Sequence, residues 1–195
     1  MNYGNIVIAV QYRLGPFGFL HYYDEIADSV IGGNYGLNDV FLALKFTSEN
    51  AGRIGGDPSK IVINGESAGG GIVMALLLHQ PSVDLISGAI AQSGATLLNF
   101  LGTQSETKPM AKLAMNEVIL RLCSQFTTDE VKCDNTTTTE NQFKQLKLVD
   151  AQKLMITSAN FGLELGPVPF DGIFYTENAL KKYMANNLIT GYEVL

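Results

Sequence analysis

The 195-residue chain is poor in several things, and each shortage removes a class of function. It carries only two histidines, His21 and His79, and two cysteines, Cys123 and Cys133, so no zinc-site spacing forms and no metal is implied. Basic residues number 13 against 19 acids and nowhere form a run. The resulting formal charge of −6 argues against a nucleic-acid surface and gives no footing on anionic lipid. No apolar stretch approaches the roughly 20 residues of a bilayer span, so no membrane span is expected; the longer ones, such as Ile72 to Leu78, fall far short. Met1 to Asn5 lacks the basic start and apolar centre of a secretory leader. No internal repeat is found. That charge balance favours a small organic substrate or a protein partner, and what the chain does have is 46% apolar residues, enough to bury a sizeable core.

The order of elements points to an α/β class. Ile6-Val7-Ile8-Ala9-Val10 is an unbroken, largely β-branched run, predicted to be a strand buried on both faces of a parallel sheet. Such a strand so near the first residue suggests neighbours upstream, hence a chain truncated at both ends and forming one incomplete domain over residues 1–195. A glycine- and proline-punctuated stretch from Gln11 to Phe19 and a polar loop to Asn34 follow. Helical spacing of Val40, Phe41 and Leu44 predicts a helix over Leu37 to Phe46, with Asn38 or Asp39 near its start. A turn at Gly55-Gly56-Asp57-Pro58 leads to a second buried strand, Lys60 to Ile63, then to an apolar helix from Ala68 to Leu78. A third strand is expected at Gly88 to Ala91. Beyond it come an amphipathic helix from Met110 to Leu122, a threonine-rich loop over Thr136 to Thr139, and a helical turn or two over Val149 to Met155.

The chemistry concentrates at Gly65-Glu66-Ser67-Ala68-Gly69, a G-x-S-x-G pattern between a strand and a buried helix. A serine hydroxyl is a poor nucleophile until a base takes its proton, and a sharp strand-to-helix elbow lifts Oγ to where a histidine can reach it. Gly65 and Gly69 are read as the glycines that this tight turn requires. Ala68, next in the chain, would offer its backbone N–H to an oxyanion, helped by the helix N-terminus. A bare pattern of five small residues would be no more than a turn; the strand before and the apolar helix after give it its weight.

Several further motifs then agree. Asn64-Gly65-Glu66-Ser67-Ala68-Gly69-Gly70, the stretch Gln11 to Leu20, Gly33 to Asp39, Gly55-Gly56-Asp57-Pro58, Gln92-Ser93-Gly94 and the late Gly166 to Gly172 follow in order. Together the set resembles the type-B carboxylesterase and cholinesterase family over essentially the whole chain. The resemblance implies an α/β-hydrolase fold, in part, with a mostly parallel central sheet and helices on both faces. It implies a serine esterase that works through an acyl-enzyme on a small-molecule ester, with no cofactor. It also implies a structural ion pair between Arg13 and Asp39. By themselves the two cysteines leave buried thiols, metal ligands or a bridge open; the family's short disulfide loop implies a bridge between Cys123 and Cys133. Asn135-Thr136-Thr137 is a glycosylation sequon consistent with a secreted or luminal protein.

The chain departs from the family in Phe46, which stands where tryptophan is usual, and in Asn64, where an aromatic residue precedes the elbow. Glu66 matches the family, and its carboxylate favours cationic groups without identifying a choline substrate. The order Ser, acid, His requires both partners after Ser67. His79 is the only histidine there, one helix length away, and His21 precedes the nucleophile, so neither is expected to act as base. Leu188-Ile189-Thr190-Gly191 resembles the strand after which the family places its triad acid, which implies residue 196 as that position and leaves Glu193 short of it. The oxyanion loop would precede residue 1. The expectation is therefore an inactive piece of an esterase. The alternative is a silent adhesion or interaction module on the same scaffold.

Overall fold

The structure is a computed structural model and describes residues 4–24, 26–94, 116–126, 138–160, 173, 174 and 176. In chain order its elements are α1 (Gly15–Phe19), β1 (His21–Asp24), β2 (Ser29–Gly32), α2 (Tyr35–Asn50), β3 (Val62–Glu66), α3 (Ala68–Leu78), α4 (Gln80–Val83) and β4 (Gly88–Gln92). They continue with α5, described over residues 116–124, then α6 (Thr139–Leu146) and α7 (Ala151–Asn160). Two compact units divide these elements. One draws on residues 1–12, 36–99 and 172–195, the other on 13–35 and 100–171.

The first unit is built on two parallel strands. β3 and β4 pair in register from Val62 opposite Gly88 to Glu66 opposite Gln92. The ladder is prolonged at both ends, by Ser87 N–H to the Ile61 carbonyl (2.7 Å) and by Ser67 N–H to the Gln92 carbonyl (2.8 Å). α3 packs on both strands; its sequence is apolar all round, and Gly70 through Leu77 are buried without a break. α2 turns Leu37 and Leu44 inward, seven residues apart, and leaves Leu42 and Phe46 outside at 52% and 67% exposure. A short turn, Ala51–Ile54, ends α2 on Gly55 at φ 83°, a left-handed position that glycine takes without strain. The Asp57 carboxylate then caps the next turn, accepting from the Ser59 N–H (2.9 Å) and hydroxyl (2.6 Å).

Two strand expectations need correction here. Ile6–Val10 is not a strand: Ile6, Val7 and Ile8 are 47–68% exposed, and no strand among the described residues pairs with it. A β-branched run needs a hydrogen-bonded neighbour to become a strand, and propensity cannot supply one. The elbow strand begins at Val62 and runs to Glu66, directly into the turn, and it is not buried on both faces, since Val62 is 54% exposed. Lys60 belongs instead to the capped turn before it.

The second unit is a closed side-chain cluster. Leu20, Tyr22, Ile119, Leu122, Cys123, Phe143, Leu146 and Leu154 pack together, with Ile119, Leu122 and Cys123 fully buried. β1 and β2 form an antiparallel hairpin where a polar loop was predicted. Its turn is held by the Asp24 carboxylate, which accepts from the N–H groups of Ile26 and Ala27. The Tyr22 ring lies 5.1 Å from that of Phe143 on α6, and the Tyr23 N–H donates to Asn116 Oδ1 at 3.2 Å.

Candidate active site

Ser67 sits between β3 and α3, where the elbow was expected. Its φ of 51° and ψ of −115° lie in a region that residues with a Cβ rarely occupy. Holding it there costs about 1–3 kcal/mol, so neighbouring structure must over-determine the turn. Three contacts do so. The Ser67 N–H is tied to Gln92, the Gly71 N–H bonds back to the Ser67 carbonyl at 3.0 Å, and the glycines leave no room to relax. A Cβ on Gly65 would stand 2.2 Å from the Gly69 carbonyl oxygen. One on Gly94 would stand 2.1 Å from the Gly70 carbonyl carbon, so α3 and the end of β4 touch backbone to backbone.

This corrects one part of the expectation. Gly65 is sterically required, but a Cβ on Gly69 would meet nothing within 4 Å. The close approach falls one residue later, on Gly70 against Gly94. Ser93 is a second missed feature: it too has positive φ, 56°, at the end of its strand. Their trace in the sequence is Gly70 at the end of the elbow motif and the Gln92-Ser93-Gly94 motif.

The Ser67 side chain is exposed, does not cap α3, and has no hydrogen bond to its Oγ among the described residues. Ala68 is exposed beside it, ahead of the first intrahelical bond, so its N–H is not used by the helix ladder. Glu66 is exposed on β3, as is Asn64. Phe46 points outward on α2 and does not fill the interior.

Neither histidine joins Ser67. His79 caps the far end of α3, about 16 Å along the helix at 1.5 Å per residue. It is buried there, with Nδ1 2.7 Å from the Ser82 hydroxyl and its ring packed edge-on to Phe41 and against Phe174. His21 belongs to the other unit, where its Nδ1–H donates to the Phe19 carbonyl at 2.9 Å. Burial holds its pKa below the ordinary value of 6.5, against the opposing pull of that hydrogen bond.

The remaining predicted residues are divided between the two units. Arg13 is exposed, donates to the Tyr35 carbonyl at 3.4 Å and lies 5.3 Å over the Tyr35 ring. Asp39 is half-buried in the other unit. Cys123 is fully buried in the side-chain cluster. Cys133, Asn135 and Glu193 lie outside the described residues. Among the described residues no cluster of histidine, cysteine and carboxylate could hold a metal ion, and no helix is long and apolar enough to cross a membrane.

A strand, a strained turn carrying an exposed serine, and a buried helix over a parallel pair define part of an α/β-hydrolase fold. Comparison with known proteins makes the assignment specific. The chain belongs to the carboxylesterase family, whose model matches residues 1–194. It is 36% identical over 165 residues, 85% of its length, to acetylcholinesterase 4 of Caenorhabditis briggsae, covering 24% of that protein. It is 46% identical over 96 residues, 49% of its length, to neuroligin-2 of Homo sapiens, covering 11% of that protein. Over 91 residues, 47% of its length, it is 44% identical to para-nitrobenzyl esterase of Bacillus subtilis (strain 168), covering 18%. The chain thus spans about a quarter or less of these relatives.

Proposed function

We propose that Ser67 is the nucleophile of a serine carboxylic-ester hydrolase and that the 195 residues by themselves do not turn over esters. The observation that carries the reading is the strained backbone of Ser67 together with its exposed hydroxyl, which has no hydrogen bond among the described residues. In the whole enzyme Oγ attacks the ester carbonyl while a histidine from outside this chain takes its proton. The Ala68 N–H steadies the oxyanion, the alcohol leaves with a proton returned by the histidine, and water then resolves the acyl-enzyme. Arg13 and Asp39 serve as scaffold. A bridge from Cys123 to Cys133 and glycosylation at Asn135 fit a secreted or luminal protein. Residues 1–195 are one incomplete domain of this enzyme.

Inactivity of the piece follows from magnitudes. Loss of the base costs on the order of 10⁶ in turnover in subtilisin, and loss of one oxyanion donor about 10²–10³. A rate on a p-nitrophenyl ester from residues 1–195, abolished by Ser67→Ala, would overturn that part. The nucleophile itself is tested by fluorophosphonate labelling of the full-length protein: a covalent adduct at Ser67 is expected, lost in Ser67→Ala. Absence of label on a folded full-length protein would favour a silent interaction module on the same scaffold.

A further inference from the structure

We draw no further inference here: the strongest candidate, the exposed apolar patch of Leu14 and Phe17 at α1 and Met155 and Ile156 on the adjoining α7, is an unpartnered face, and nothing among the described residues shows what covers it.

Discussion

The two units solve the problem of holding shape by different means. In the unit around β1 and β2, side chains do it: Ile119, Leu122 and Cys123 are fully buried in a continuous apolar cluster. In the unit around β3 and α3, the decisive contacts at the elbow are backbone on backbone, glycine against glycine, while Val7, Phe46 and Val62 stay largely in water. The difference teaches where precision resides. A cluster of side chains tolerates small adjustments, whereas a turn that fixes one residue in a strained conformation has none to give.

Substitutions can sharpen or break that contrast. The largest effect is expected from Leu122→Ala, which empties a fully buried site and should cost about 2–5 kcal/mol in denaturant unfolding. A loss below about 1 kcal/mol would mean that the cluster is loosely packed. Gly65→Ala comes next, at about 3 kcal/mol, because the new Cβ would press on the Gly69 carbonyl oxygen at 2.2 Å. Gly69→Ala is its control, with open space at the Cβ and a helical position where alanine gains roughly 0.5–1 kcal/mol. If the two variants behaved alike, steric control of the elbow by backbone contact would be wrong.

The smallest effect concerns pH. The pKa of His21 is depressed in the fold by burial, so the native state holds the neutral ring and the unfolded chain takes up the proton first. The stability it contributes is complete above about pH 6.5 and declines as pH falls from there through the lower native value. Thermal unfolding followed from pH 7.5 downward should show this decline, and His21→Gln should flatten it. An unchanged slope in the variant would place the acid sensitivity elsewhere.

Legibility followed the same division. The helix Ala68–Leu78 and the strand at Gly88 were readable because a continuous apolar run between turn signals leaves few alternatives. The hairpin was not, since His21, Asp24 and Ser29 made the stretch look polar; its pairing depends on Tyr22 finding Phe143, far along the chain. A helix was missed at Thr139 for a different reason. The threonine run suggested a loop, yet Thr138 is the residue that starts the helix, its hydroxyl accepting from the Asn141 N–H at 3.3 Å. Asp150 likewise sets the start of α7 by accepting from the Lys153 N–H at 3.0 Å. At the candidate site the strand–turn–helix placement of Ser67 was legible from the pattern and its flanks, whereas the glycine contact between positions 70 and 94 joins two separate motifs and becomes visible only in three dimensions.

Because Gly70 meets Gly94 through main-chain atoms, the hinge between strand and helix owes nothing to the serine oxygen it presents. Reactivity and architecture are therefore separable by inheritance. A lineage could exchange residue 67 with a single codon and keep the body intact for other employment, whereas altering either glycine would disturb the turn and its packing at once.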